Sequence, residues 1–336
     1  MLFKPLEIFY EEKVKEYELG NYLLQKYEKL DIPMNIIENH NNIEELRTRS
    51  NKEFVKLKKY LIIGIRKTHN FVKNEKISDF LVPYTSSGCT AMCLYCYLVC
   101  NFNKCSYLRL FVNREEMLDK IIRVSNNSEK EQVYEIGSNS DLILENTITN
   151  NLRWTIPEFS KNEKGYLTFP TKFDMVEPLL DLEHKGRIIF RMSVNPAEII
   201  EKVELGTSSL GNRIKAINKM ADAGYKMGIL IAPVILLENW KEQYLELVKY
   251  LVENLNSNVK KQAFFEIIFM TYSYVHRMIN GDVFPRMAEE LYHSEMMKGR
   301  GNGKYVYKLY LKEEGENFLR DIMNVYFPNN EIKYIC

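Results

Sequence analysis

The sequence predicts an α/β fold: an open, partial (β/α)6 barrel of TIM type, preceded by a small α/β segment and followed by a β-hairpin and helix extension. Three observations carry this. From about residue 80 to 269, short apolar β-rich runs alternate with stretches of helical periodicity, the pattern of βαβ units around a parallel sheet. About six such units occur, too few for a closed eight-fold barrel. After Pro285 the alternation stops, and a glycine-rich, basic stretch takes over. The predicted segments are therefore 1-78 (N-terminal α/β), 79-284 (barrel) and 285-336 (extension).

Taken in order, Leu6 to Tyr10 alternates like a strand, and Tyr17 to Leu30 places apolar side chains on one helix face. Asn35 to Asn42 is polar and reads as loop. Asn51 to Lys59 reads as a short helix, and Tyr60 to Lys67 as a buried strand ending in a basic pair. Lys73 to Ser78 is a polar turn before a short strand at Phe80 to Tyr84. Helices are predicted from Asn113 to Val124, Asn146 to Phe159, Met175 to Leu182, Arg213 to Ala223 and Asn239 to Val252. Strands between them run over 132–136, 166–172, 187–193, 227–233 and 264–269, the last of the barrel. In such folds ligand-binding loops leave the carboxyl ends of the strands. Three glycines around Asn302, followed by Tyr305 and Tyr307, predict a hairpin. A helix from Glu313 to Val325 and a short tail complete the chain.

Bulk properties narrow the function classes. The 336 residues are 46% hydrophobic and 27% charged, ordinary for a soluble globular protein. Formal net charge is +1, so nucleic-acid binding requires a local basic patch rather than a whole-surface field. No apolar run reaches the ~20 residues that span a bilayer, and the first residues lack a signal-peptide core. Clustered cysteines without such a signal point to a reducing cytoplasm and to metal rather than disulfides.

The cysteines carry the chemistry. Cys89, Cys93 and Cys96 are spaced C-x3-C-x2-C. Thiolates are soft ligands for iron–sulfur clusters, zinc and copper(I). Three of them hold three irons of a [4Fe–4S] cube and leave the fourth free to chelate S-adenosylmethionine. Two rival readings stand beside this one. Free cysteines often serve as small buried hydrophobes, and zinc with Cys100 and Cys105 as further ligands makes a compact knot. The five histidines are scattered and show no metal-site spacing.

This spacing is the signature of radical S-adenosylmethionine enzymes, and the sequence resembles that superfamily here. Beyond the cysteines it resembles the spore photoproduct lyase family. The matching runs are Gly64-Ile65-Arg66-Lys67-Thr68, Cys89 through Leu98, Ser140-Asp141, Thr171-Lys172-Phe173, Phe190 through Asn195, Gly206-Thr207-Ser208, Ala223-Gly224-Tyr225, Ala232-Pro233 and Gly303 through Tyr307. Their order covers almost the whole chain. The resemblance implies reversal of 5-thyminyl-5,6-dihydrothymine, an ultraviolet thymine dimer of spore DNA, to two thymines. One electron, from a flavodoxin- or ferredoxin-type donor, reduces the cluster. S-adenosylmethionine is cleaved, and the resulting 5′-deoxyadenosyl radical takes a hydrogen from the lesion. A cysteine thiol then supplies a hydrogen to the product radical, and a tyrosine pair regenerates the cofactor. On this resemblance Cys89, Cys93 and Cys96 are cluster ligands, and Tyr95 and Tyr97 the relay pair.

Other positions follow from predicted strand ends together with the resemblance. Ser140, Lys172 and Ser193 are candidates for S-adenosylmethionine: a lysine pairs with the methionine carboxylate, and hydroxyls bond to carboxylate or ribose. Asp141 is alternatively a helix cap. Arg66 and Lys67 face phosphates or form a structural ion pair. Reaching a stacked base requires extruding it, and a hairpin with Lys298, Arg300, Lys304 and Tyr305 suits that task.

One position departs from the family. Its donor cysteine lies two residues before the serine of the Ser-Asp pair, and here that residue is Ser138. A serine O–H bond is much stronger than a thiol S–H. Another cysteine substitutes (Cys100, Cys105 or Cys336), or cleavage is slow with side products, or the substrate has changed to another nucleic acid or nucleotide. A catalytically degenerate DNA-binding protein with a structural cluster is the rival from another class.

Overall fold

The computed structural model describes residues 3–101 and 107–336. Its main sheet has eight strands, in the order Ile332–Ile335, Phe264–Phe269, Lys226–Val234, Ile188–Val194, Tyr166–Thr171, Val133–Glu135, Phe80–Leu81 and Val72–Lys73. Every neighbouring pair is parallel except the 72–73/80–81 hairpin. The sheet curls into a partial barrel. Lys76, from the turn at one edge, reaches across to the opposite edge, where its Nζ lies 3.0 Å from Cys336 Sγ and 4.8 Å from the Tyr334 ring centre.

Strand alternation decides what faces the concave side. In Ile188–Val194, Ile188, Phe190, Met192 and Val194 are fully buried against the outer helices. Arg191 and Ser193 point the other way. Arg191 spans the hollow of the sheet and meets Glu135 (2.6 Å) on one side and Glu266 (2.7 and 2.6 Å) on the other. Tyr334 donates to Glu266 at 2.6 Å. The guanidinium thus ties together four strands of the curl. Outside, helix Leu210–Asp222 packs on strands 188–194 and 226–234, and helix Trp240–Asn254 packs on Leu309–Tyr326.

A second sheet lies at the N-terminal side, ordered Met34–Ile37, Glu7–Glu11, Tyr60–Gly64, Leu108–Phe111 and Ser86–Ser87. The run Tyr60–Gly64 is buried throughout, as its unbroken apolar character requires of a central parallel strand. The predicted segments 1-78, 79-284 and 285-336 therefore exchange strands. Residues 86–87 and 108–111 complete the N-terminal sheet, and 332–335, expected as tail, adds a parallel strand to the barrel.

Several elements differ from expectation for local reasons. Met34–Ile37, which overlaps the loop expected over Asn35 to Asn42, is an edge strand, with Asn35 donating to Glu7 at 2.6 Å. The single helix predicted over 146–159 is two helices, Leu142–Thr149 and Asn151–Ser160, broken where Asn150 turns left-handed (φ 55°). The helix predicted over 175–182 shrinks to a 3-10 turn at Glu177–Leu179. Helices Glu44–Arg47 and Ala197–Val203 are short, with little periodicity to betray them. Among the described residues, no helix is long and apolar enough to cross a membrane.

Candidate active site

The cysteine loop lies over the carboxyl ends of the barrel strands. Gly88 enters it with a left-handed φ of 78°, a conformation that favours glycine. Its N–H donates to Asn139 O at 2.8 Å, and it pairs with Ser140, which fixes Cys89 beside the 138–141 segment. Met92–Cys93 forms a two-residue antiparallel ladder with Glu204–Leu205, with Cys93 opposite Glu204. Leu94 N donates to Val203 O at 3.0 Å, and Cys96 N to Cys93 O at 3.1 Å.

All three thiols are free. Burial, and after it Asp141, pushes Cys89 up to about 12; burial and Glu204 push Cys93 higher still. Metal coordination reverses such shifts by deprotonating the thiol outright. The Ala91 N–H lies 3.4 Å from Cys89 Sγ, a donor of the kind that ligand sulfurs take. Among the described residues, no group of three or more His, Cys, Asp or Glu surrounds a single metal-ion position. A cubane asks for none, since each cysteine binds a different iron. Three thiols on one folded loop therefore fit the cluster. Cys105 and the Cys100 side chain lie outside the described residues.

Beside the loop, Lys172 stands at the end of strand Tyr166–Thr171 and Ser193 near the end of Ile188–Val194. Lys172 Nζ bonds to the Ser193 hydroxyl, to Ala232 O at 2.7 Å and to Glu204 at 3.1 Å, which uses all three donors. Ser193 in turn donates to Ala232 O at 2.7 Å. Glu204 also accepts from the Tyr95 hydroxyl, from Asn195 at 2.9 Å and from Arg213 at 2.6 Å. Burial alone would raise the Glu204 carboxyl; Lys172 and then Arg213 overcome it and hold it down at about 2. Tyr95 and Lys172 thus share one buried anion with the Cys93 ladder, and Ser193 joins it through Lys172.

Ser140 and Ser138 lie on the next strand end. Ser86 gives its proton to Glu145, so at the 2.7 Å contact between Ser86 Oγ and Ser140 Oγ the Ser140 hydroxyl is the donor. Asp141 caps helix Leu142–Thr149 through Ile143 N and Leu144 N, and it also accepts from Thr171 Oγ1 at 2.8 Å and Lys172 N at 3.0 Å. The cap thereby ties Ser140 to Lys172. Tyr97 exposes its ring but donates its hydroxyl to Ser138 O. Arg66 is structural, with Nε donating to Tyr84 O at 2.7 Å and the guanidinium 3.9 Å over Phe111. Burial lowers it to about 10. Lys67 is exposed.

The hairpin forms as Met297–Gly301 and Lys304–Tyr307, with left-handed Asn302 (φ 49°) and Gly303 (φ 67°) making the two-residue turn. Strand Thr271–Ser273 adds to it. Lys298, Arg300 and Lys304 are exposed. Tyr305 is half-buried, its ring 5.1 Å from Tyr292. Directly after 271–273, helix Tyr274–Val283 packs against the cysteine loop. There His276 Nε2 meets Cys96 O at 2.5 Å, and Asn280 donates to Leu94 O at 2.7 Å.

Sequence reasoning missed Glu204, Arg213 and Glu145, the charged groups that organise the site. Glu204 stands two residues before the Gly206-Thr207-Ser208 run, which was its one available signal.

Comparison with known proteins agrees with this geometry. The sequence model of the family described as "SPL: Spore photoproduct lyase" matches residues 3–336. Spore photoproduct lyase of Bacillus subtilis (strain 168) is 31% identical over 99% of this chain and 98% of its own. That of Clostridium acetobutylicum is 30% identical over 98% of each. Two solved structures superpose with TM-score 0.91 at 27% identity over 100% of both chains. One is spore photoproduct lyase complexed with dinucleoside spore photoproduct; the other is a variant with bound AdoMet and the same dinucleoside. This chain belongs to the spore photoproduct lyase family.

Proposed function

We propose that this chain is a radical S-adenosylmethionine lyase that reverses 5-thyminyl-5,6-dihydrothymine in DNA to two thymines, in the cytoplasm. The observation that carries the reading is the convergence of the cysteine loop with Lys172, Ser193 and Tyr95, in a chain that matches the family from end to end. Cys89, Cys93 and Cys96 hold the [4Fe–4S] cluster. When bound, that cluster supplies the electron, received from a flavodoxin- or ferredoxin-type protein, that cleaves S-adenosylmethionine and starts the reaction.

The protein's own residues orient the rest. Lys172 exchanges part of its grip on Glu204 for the methionine carboxylate, while Ser193 and Ser140 bond to carboxylate or ribose. Glu204 stays anionic and keeps the Tyr95 hydroxyl aimed, so the Tyr95–Tyr97 relay pair is fixed at both ends: Tyr95 on Glu204, Tyr97 on Ser138 O. Lys298, Arg300 and Lys304 take phosphates of the lesion strand. Tyr305, braced by Tyr292, supports the hairpin wall that fills space left by the extruded step.

The test is anaerobic reconstitution followed by product analysis on a lesion-bearing dinucleotide, with Cys93→Ala as control. Release of 5′-deoxyadenosine with thymine from the wild type alone supports the reading; 5′-deoxyadenosine without thymine transfers the chemistry to another substrate. Release of neither, with DNA binding retained, points to a degenerate binder.

Ser138 favours a second reading, in which orthodox repair is weakened because no thiol stands at the donor position. Ser138→Cys then raises the share of clean thymine. Complete thymine recovery by the wild type, unchanged when Cys100, Cys105 and Cys336 are all replaced, would sink that reading.

A further inference from the structure

The cysteine loop is gripped from outside the barrel by side chains that reach its main-chain oxygens. Asn280 and His276 hold Leu94 and Cys96 from one side, as described. A third grip comes from Lys58, the residue that closes helix Phe54–Leu57 just before strand Tyr60–Gly64. Its Nζ donates to Cys89 O at 2.8 Å, and its side chain is 3% exposed. The Phe54 ring lies 5.5 Å from the ammonium and shields it from water.

Asn280 supplies a neutral donor. Lys58 supplies the same kind of hydrogen bond together with a formal charge, carried at the cost of burying it. A buried ammonium thus contacts the backbone of a cluster-ligand residue. Charge at that place has a specific consequence. The reduced cluster carries one more electron than the oxidised one, and a nearby cation shielded from water stabilises it preferentially. Cluster potentials follow net charge and hydrogen bonding, and Lys58 brings both to Cys89.

We propose that Lys58 is a redox-tuning and positioning residue: it pins Cys89 and raises the reduction potential of the [4Fe–4S] cluster, which eases the one-electron reduction that begins the reaction. The proposal rests on the reading of Cys89, Cys93 and Cys96 as cluster ligands. It assigns the N-terminal segment a part in the chemistry, although that segment adds only the edge strand Val72–Lys73 to the barrel sheet.

The experiment separates charge from hydrogen bond. Full-length wild type, Lys58→Arg, Lys58→Gln and Lys58→Met are reconstituted anaerobically. Iron and sulfide per chain are measured, and the reduced-cluster electron paramagnetic resonance signal is titrated against ambient potential. Lys58→Arg should follow the wild type. Lys58→Gln, which keeps a donor without the charge, should lose about tenfold in the reduced-to-oxidised ratio at the wild-type midpoint, about 59 mV for a one-electron couple. Lys58→Met should fall at least as far; if it loads no cluster, the glutamine–arginine comparison decides alone. A fully loaded Lys58→Gln that titrates with Lys58→Arg overturns the proposal. A wild type that takes up no iron overturns the cluster reading itself, and the two failures are told apart by the iron assay.

Discussion

Replacing Arg191 by methionine tests how the barrel holds its strand ends in place. The guanidinium makes contacts of 2.6 to 2.7 Å with Glu135 and Glu266, and both carboxylates are almost wholly enclosed. At an effective dielectric constant of about 20, each ion contact gives about 4 kcal/mol of attraction. Removing three ions from water costs several kcal/mol apiece, so the intact triad contributes little net stability. Arg191→Met is different: it forfeits the attraction and leaves two carboxylates buried without a cation, a loss of roughly 3–5 kcal/mol. Urea unfolding at pH 7 reads this as a lower midpoint at unchanged slope. Neutralising the carboxylates as well (Arg191→Met with Glu135→Gln and Glu266→Gln) should restore at least half of the loss. A triple variant as unstable as the single one would refute the reasoning and assign the loss to packing. Function follows, since Glu135 closes the strand that leads into Ser138 and Ser140.

Three further outcomes are expected. Lys172→Met should weaken S-adenosylmethionine binding by at least tenfold in equilibrium dialysis, the worth of a charge-assisted bond of roughly 1.5–3 kcal/mol; unchanged affinity would remove Lys172 from the cofactor site. Glu204 has its carboxyl held at about 2 against an ordinary 4.5, so its contribution, on the order of 3 kcal/mol, is complete above pH 4.5 and lost as pH falls towards 2. The stability gap between wild type and Glu204→Gln should therefore be widest near neutrality and close in acid, and a gap constant from pH 7 to pH 3 would contradict this. Arg300→Ala with Lys304→Ala should lower the slope of log affinity against log salt by roughly 1.4–1.8 on lesion DNA; an unaltered slope would place the phosphates elsewhere.

The fold was legible where a single periodicity dominates. Strands 166–171, 188–194, 226–234 and 264–269 are buried runs bounded by breakers, and sequence places each within a residue or two. The final strand was hidden because Ile332 to Ile335 is too short to show a period. Only the exposed edge of Phe264–Phe269 gives it a partner. The break at Asn150 was hidden because left-handed asparagine inside a helical pattern leaves no mark on hydrophobic spacing. At the site, local chemistry was legible in the cysteine spacing and in Asn302-Gly303. What escaped notice was the set of charges whose meaning depends on long-range neighbours. Glu204 pairs with Lys172 across 32 positions and Lys58 reaches Cys89 across 31. No local pattern distinguishes either from a solvated surface charge.

Those long-range pairs also explain why the site is built as it is. The cysteine loop has one two-residue strand and a single turn of helix to stiffen it, so its shape is imposed from outside. Lys58 holds it at Cys89, the Glu204 ladder at Cys93, and helix Tyr274–Val283 at Leu94 and Cys96. That helix begins where the hairpin sheet ends, with Tyr274 N donating to Gly303 O at 2.7 Å. The hairpin turn and the third cysteine are therefore joined through three residues of one helix, Tyr274 to His276. Replacing His276 by alanine should be felt at both ends. Cluster uptake should fall, and lesion-DNA affinity should drop although no phosphate contact has been touched. Asn280→Ala, one turn further from the hairpin, should impair uptake and leave DNA affinity near wild type. Equal losses of affinity in the two variants would show that the helix only supports the fold and does not link the two surfaces.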